Sequence, residues 1–335
     1  MPVSTPAFVS ADQARDLLDW PSAVAAMARA YAEPAVPGAF PPRTIAEHEG
    51  AWLRGHLGVT VSGRWMGAKL FARSPGRAAS FVMVLFDKAT GEVTCLLDGS
   101  VITSWRTAAT SALAVSLLAP DRLHDVAVVG SGLEARTHVA ALAALNLVGS
   151  VRIFSPTPGN RAAFAAAVRD LGIPARDCPS PEEAITGAGL VVAAARSRDE
   201  TPTFDHSRVD DRALVLSIGS TLPSQREVAP ELVARCDLVV ADDVAEVADA
   251  TGDMIAARRE GVDLEARMCS LHDLVTGALA ERVEAARMIM YKSAGSAVQD
   301  LALAGWLYER ARDAGEAVPL PAPFELKPPS GRPAP

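Results

Sequence analysis

Two textures of apolar and polar positions divide this chain near Pro120. From Trp52 to Leu97, short β-rich stretches such as Trp65–Phe71 and Ser80–Phe86 are separated by the turn signals Ser74-Pro75-Gly76 and Lys88–Gly91, which predicts an antiparallel sheet. Helices flank it in sequence. Ser10 and Gln13 have capping-box spacing ahead of a short helix, and Pro21 suits the first turn of a second helix running to about Tyr31. The segment Thr103–Leu118, rich in Ala, Ser and Leu, reads as a helix that ends at Ala119-Pro120. Beyond Pro120, candidate strands Asp125–Val129, Val151–Phe154, Leu190–Ala194, Ala213–Ile218 and Leu238–Ala241 alternate with helical stretches. That alternation implies an α/β doubly wound parallel sheet with crossover helices. A last helix, about Ala294–Ala314, is apolar on one side. The expected organisation is an α+β domain over 1–119, completed by about 294–316, and a doubly wound domain over 120–293. The tail 317–335, with Pro319, Pro321, Pro323, Pro328 and Pro329, is expected to be extended or disordered rather than packed.

Composition narrows the partners. A chain of 335 residues with 49% hydrophobic content can bury a substantial core. Its formal net charge of −8 argues against sequence-independent nucleic-acid binding, which needs a basic face to replace counterions on phosphates. No secretory signal and no uninterrupted 18-residue apolar run is found, so no membrane partner is expected and the expected location is the cytoplasm. Cys95, Cys178, Cys236 and Cys269 lie far apart and read as buried reduced thiols. None of the six histidines has metal-ligand spacing to Asp or Cys, so no metal is expected; His48 and His56 read as structural.

The first chemical signal is the run Val126–Ala135, V-A-V-V-G-S-G-L-E-A, which sets G-x-G-x-x-A between an apolar strand and a helical stretch, Glu134–Leu145. Glycines permit a tight turn and close backbone approach, and the helix N-terminus offers oriented N–H groups to a pyrophosphate. Gly130, Ser131, Gly132 and Leu133 are therefore the expected dinucleotide-binding turn. The acid that ordinarily ends the second strand and binds the adenosine ribose is missing, because no Asp or Glu occurs between Ala135 and Arg169. Ser155, Thr157 and Arg161 stand there instead and suit a 2′-phosphate, which favours NADP(H), with NAD(H) as the alternative. Arg161 on a solvated helix face is the plainer reading of that residue.

More specific is the stretch Leu96–Ala112, L-L-D-G-S-V-I-T-S-W-R-T-A-A-T-S-A. It resembles the D-G-x-x-x-T-x-x-R-T-A-A-x-[ST]-A signature of the ornithine cyclodeaminase and mu-crystallin family, and the resemblance runs from about residue 10 to 315. Supporting matches are Pro42-Arg43-Thr44, Gly67-Ala68-Lys69, Ile218-Gly219-Ser220 with Arg226-Glu227 downstream, and Thr251-Gly252-Asp253. The resemblance implies a Rossmann-type nucleotide domain, with Ser220 among the cofactor contacts, and a first domain that supplies both the substrate site and a homodimer contact. It also implies that Arg43, Lys69 and Arg106 face a small imino- or amino-acid substrate, the arginines holding its carboxylate and Lys69 serving the reacting nitrogen. Bidentate guanidinium binding would fix the reacting carbon against a nicotinamide. An ammonium in the apolar strand Trp65–Phe71 should point inward and be paired. Asp98 reads as the cap of the following helix, and Asp300 resembles a family position near the nicotinamide end.

One departure separates the branches. Where cyclodeaminases carry G-G-D-x-P-G-K-x-E-L, this chain reads Gly219-Ser-Thr-Leu-Pro-Ser-Gln-Arg-Glu-Val228, so Thr221 replaces a carboxylate. A threonine orients a hydrogen bond but is no general base near neutral pH. The expected activity is therefore NAD(P)H-dependent reduction of the C=N bond of a small α-imino carboxylate, such as a cyclic ketimine, or the reverse oxidation. Ornithine cyclodeamination, or a catalytically weak NADPH-binding protein, is the alternative.

Overall fold

The computed structural model describes residues 5–119, 123–197 and 199–325, so Pro120, Pro328 and Pro329 lie outside the described residues. Contacts divide the chain into two units, Met1–Leu18 with Val36–Thr103 and Asp300–Pro335, and Asp19–Ala35 with Ser104–Gln299.

The first unit is built on β1 (Ala7–Val9), β2 (Thr44–His48), β3 (Ala51–Val59), β4 (Trp65–Arg73), β5 (Ser80–Asp87) and β6 (Val93–Asp98), with the short strand Val318–Pro319. Their order is Val318–Pro319, β1, β6, β5, β4, β3, β2. Strands β2 to β6 form the expected antiparallel meander, but β1 joins β6 in parallel, so the sheet is mixed. The tail is not wholly unpacked: Val318 and Pro319 pair antiparallel with Phe8 and Ala7, and the Leu320 N–H donates to the Pro6 carbonyl. Proline is tolerated there because an edge strand leaves one backbone side without a ladder. Helix α1 (Ala11–Leu17) has the reciprocal capping box of Ser10 and Gln13. Strand alternation sorts the sheet's two faces. One lateral row, Val9, Leu97, Met83, Lys69 and His56, is buried, while Leu53, Leu57, Val59, Leu70 and Val82 are exposed on the other face.

The second unit holds an eight-stranded sheet in which every pairing is parallel. Its strands are β7 (His124–Val129), β8 (Val148–Phe154), β9 (Ala175–Asp177), β10 (Leu190–Ala193), β11 (Leu214–Ser217), β12 (Leu238–Ala241), β13 (Met268–Ser270) and β14 (Ile289–Lys292). The order β13-β12-β14-β11-β10-β7-β8-β9 reverses direction between β7 and β10, the switch point at which doubly wound sheets bind nucleotides. Alternate residues serve separate cores: Val126 and Val128 pack on one face of β7, Ala127 and Val129 on the other. Burial on both faces explains the continuous apolar runs.

The expected first domain, residues 1–119, is divided differently. Helix α2 (Trp20–Ala32) belongs to the second unit, where Trp20 stacks on Trp105 at 3.8 Å and the Tyr31 carbonyl accepts from His272 Nδ1 at 2.8 Å. Helix α3 (Gly99–Leu118) starts four residues before the expected Thr103, because Asp98 accepts from the Ser100 N–H at 2.9 Å and caps it.

Candidate active site

In the first unit, Lys69 and His56 lie directly across from each other on β4 and β3. Gly67 and Gly58 flank them, and a Cβ at either would crowd Leu301, at 3.0 Å and 2.9 Å. Their missing side chains let the C-terminal helix Ala297–Asp313 approach the sheet and deliver Asp300. The Lys69 ammonium donates to Asp300 Oδ1 at 2.8 Å, and His56 Nδ1 lies 2.8 Å from Asp300 Oδ2. All three side chains are buried, so the ion pair is short of water and strongly coupled. Phe71 closes one side, with the Lys69 nitrogen 5.3 Å from its ring centre and the His56 ring edge-on at 5.6 Å. The sequence placed Lys69 inward and paired, but it identified neither partner. Arg43, half-buried just before β2, lies close enough to Arg54 for the like charges to interact. Burial first, then Arg43, lowers the Arg54 guanidinium from its ordinary range, while Glu47 opposes.

In the second unit, Arg106 is carried on α3, 5% exposed, and donates through Nη1 to Gln299 Oε1. Beneath it lies Gly295, at φ +81°, where any Cβ would stand 2.6 Å from Arg106 Nη2. The glycine turn Gly130–Gly132 lies between β7 and the next helix. Gly130 has φ +125°, and a Cβ there would strike the Ala194 carbonyl at 2.6 Å, so only glycine lets the loops after β7 and β10 meet. Gly132 is the N-cap of α4 (Leu133–Ala144), with no side chain capping the helix and nothing within 4 Å of its missing Cβ. A cleft of about 520 Å³ is lined by Gly130, Phe154, Ser155 and Pro156 and, after β10, by Ala195–Ser197, Asp199 and Thr201–Thr203. Open helix N–H groups, bare glycine and adjoining cleft fit a dinucleotide pyrophosphate.

At the end of β8, Ser155 is buried and Thr157 is the N-cap of α5 (Pro158–Asp170). Arg161 donates to the Ser155 carbonyl at 3.1 Å, and its Nε stands 3.6 Å from Asp177. Asp177 on β9, the strand beside β8, is therefore an ion-pair partner of Arg161, from an element the sequence reading did not identify. Ser131 is partly buried, while Gly132 and Leu133 are exposed at the helix start.

Ser220 and Thr221 lie on the loop after β11, secured from below by a buried cluster. Glu227 Oε2 accepts from Gly219 N at 2.8 Å and Ser217 Oγ at 2.9 Å, and Lys292 donates to Ser217 Oγ, the Ser220 carbonyl and Asp253 at 2.9, 2.8 and 2.8 Å. Burial pushes the Glu227 carboxyl up to about 8; Lys292 opposes that and Asp253 adds to it. The Ser220 side chain is fully buried and donates to the Gln225 carbonyl, so it supports the loop rather than facing the cleft. Thr221 is partly exposed, and its N–H donates to Gln225 Oε1 at 3.1 Å. Among the described residues, no cluster of His, Cys, Asp or Glu could hold a metal ion.

Residues 65–315 match the sequence model of the ornithine cyclodeaminase/mu-crystallin family. Delta(1)-pyrroline-2-carboxylate reductase 2 of Burkholderia ambifaria is 32% identical over 321 residues, 93% of this chain and 96% of that protein. Ketimine reductase mu-crystallin of Mus musculus is 29% identical over 322 residues, 91% of this chain and 97% of that protein. The crystal structure of a probable ornithine cyclodeaminase from Bordetella pertussis superimposes with a TM-score of 0.83 at 28% identity, covering 94% of this chain and all of that one.

Proposed function

The chain belongs to the ornithine cyclodeaminase/mu-crystallin family, and from that premise we propose that it is an NAD(P)H-dependent reductase of the C=N bond in a small α-imino carboxylate. The carrying observation is the buried Lys69 ammonium on Asp300, a proton source held inside an apolar strand. Gly130, Ser131, Gly132 and Leu133 would hold the dinucleotide pyrophosphate at the start of α4, with Ser155, Thr157 and Arg161 toward the adenosine ribose and NADP(H) preferred. When bound, the reduced cofactor supplies a hydride to the imine carbon. The protein's share is charge, aim and a proton. Arg106 and Arg43 take the substrate carboxylate, a planar anion that suits guanidinium forks. Lys69 donates its proton to the imine nitrogen as that nitrogen gains electrons, and the Asp300 carboxylate holds the lysine protonated until then. Asp300 is held in turn by His56.

Thr221, where cyclodeaminases have a carboxylate, orients a hydrogen bond near the reacting amine and cannot take up its proton. Net reduction is therefore favoured over ammonia loss. The exposed apolar face carrying Leu53, Leu57, Leu70 and Val82 supports a homodimer built on that sheet. Four free, buried cysteines accord with a cytoplasmic setting.

NADPH oxidation is to be followed with pyrroline-, piperideine- and open-chain α-imino carboxylates, with ammonia measured in parallel from ornithine. Stoichiometric NADPH consumption without ammonia supports the reading. Ornithine-dependent ammonia and proline without net cofactor change would replace it with cyclodeamination.

A further inference from the structure

Behind Arg106, Asp242, Tyr31 and Gln299 form a buried polar chain that meets the guanidinium through a neutral amide. Asp242 is saturated: Oδ2 accepts from Ser293 Oγ at 2.7 Å, Gly295 N at 2.8 Å and Gln299 Nε2 at 2.9 Å, and Oδ1 from Ala294 N at 2.9 Å. Gln299, fully buried, donates its second amide hydrogen to the Tyr31 hydroxyl at 2.9 Å. The orientation of that amide is forced. A carboxylate only accepts and a guanidinium only donates, so the NH₂ must face Asp242 and the oxygen must face Arg106. Tyr31 stays a neutral hydroxyl, because burial and then the nearby Asp242 charge hold its phenol well above the ordinary range.

We infer that Gln299 is the positioning residue for Arg106, coupling it to the Asp242 anchor through an acceptor that brings no negative charge of its own. The inference rests on Arg106 reading the substrate carboxylate. A carboxylate at position 299 would occupy the same space, compete with the substrate for the guanidinium, and confront Asp242 with a like charge. The shared anchor also ties Arg106 to the Ser293–Gly295 turn, whose N–H groups bind the same carboxylate.

The test compares Gln299→Glu and Gln299→Met with the unaltered enzyme, using a cyclic ketimine carboxylate as substrate and a cyclic amino acid and its carboxamide as competing inhibitors. Gln299→Glu should raise KM for the imino acid by about tenfold or more and weaken the carboxylate inhibitor in parallel. It should leave carboxamide inhibition and NADPH affinity within about twofold. Gln299→Met, which removes the acceptor without adding charge, should lower kcat/KM and narrow the preference for carboxylate over carboxamide. NADPH titration and Tm report folding, and if the glutamate variant does not fold, the methionine variant decides. A merely structural Gln299 predicts lower Tm with all these ratios unchanged, and that result overturns the inference. Arg106→Gln separates the two layers. If Arg106→Gln raises KM and neither Gln299 variant does, the inference alone fails; if Arg106→Gln leaves KM unchanged, the carboxylate role of Arg106 fails and takes the inference with it.

Discussion

Replacing Gly295 by alanine adds one methyl group in a place where the structure leaves no room for it. The added Cβ would lie 2.6 Å from Arg106 Nη2 and 2.9 Å from Cζ, against an ordinary contact of 3.4 Å or more, so the guanidinium must retreat by roughly 0.8 Å. The backbone at φ +81° adds a left-handed penalty of about 1–2 kcal/mol for any residue with a Cβ. The two costs have separate readouts. Backbone strain lowers stability, seen as a Tm fall of a few degrees in a chain of this size. Displacement of Arg106 misplaces the carboxylate it holds, and an error near 1 Å costs up to about 100-fold in rate. Steady-state kinetics on a cyclic ketimine should therefore show kcat/KM down by roughly 30- to 100-fold, while fluorescence titration shows NADPH affinity within about twofold. Full activity alongside the Tm loss would mean that the position of Arg106 is not set by Gly295 or does not matter to turnover.

Lys69→Met should lower reductase turnover by about 100-fold or more with NADPH binding intact, and Lys69→Met/Asp300→Asn should restore stability lost to the stranded carboxylate but not activity; single-turnover NADPH oxidation within about tenfold of the unaltered rate in either variant removes Lys69 as the proton donor. Arg161→Ala should weaken NADPH and leave NADH unchanged, and parallel loss of both in a titration means that Arg161 only braces Ser155 and Asp177. Burial lowers His138 from 6.5 to about 4, against the opposing bond to the Glu134 carbonyl, so between those values only the unfolded chain gains the proton. That stability, complete above the unfolded value, is lost as pH falls toward 4, about 3 kcal/mol in all, and a His138→Gln variant with the same denaturation slope against pH would contradict it.

Much of the fold was legible because its signals are local. The Ser10–Gln13 box, the apolar runs of a sheet buried on both faces and the glycine turn after β7 each lie within a few residues of sequence. What escaped depends on order in space. Strand β14 follows β12 and β13 in the chain yet inserts between β11 and β12, and no periodicity in Ile289–Lys292 announces that. The same holds for β1, whose partner β6 lies far along the sequence, and for Val318–Pro319, where proline density argued against any pairing. Helix α2 reads as part of the first domain by position and joins the second through Trp20 and Tyr31.

At the site, legibility followed violation of a local pattern. Lys69 stands out because an ammonium contradicts the apolar strand around it, and Arg106 because it sits among alanines in a helix too apolar to be a surface element. Their supports give no such signal. Gln299 looks like part of an ordinary polar stretch in the helix Ala297–Asp313, Asp300 stands out beside it only through the family resemblance and not as a partner of Lys69, and His56 sits in a strand with Leu53 and Leu57 as a structural histidine would. Only tertiary burial turns them into partners, because a charge or amide withdrawn from water must find its hydrogen bonds inside the protein. That requirement runs in one direction. A buried Lys69 demands an acceptor somewhere, but the demand is met equally well by Asp, Glu or a carbonyl, from any element able to reach it. The need for a partner is thus written in the sequence, while the partner's identity is decided by which helix the glycines at 58 and 67 allow onto the sheet.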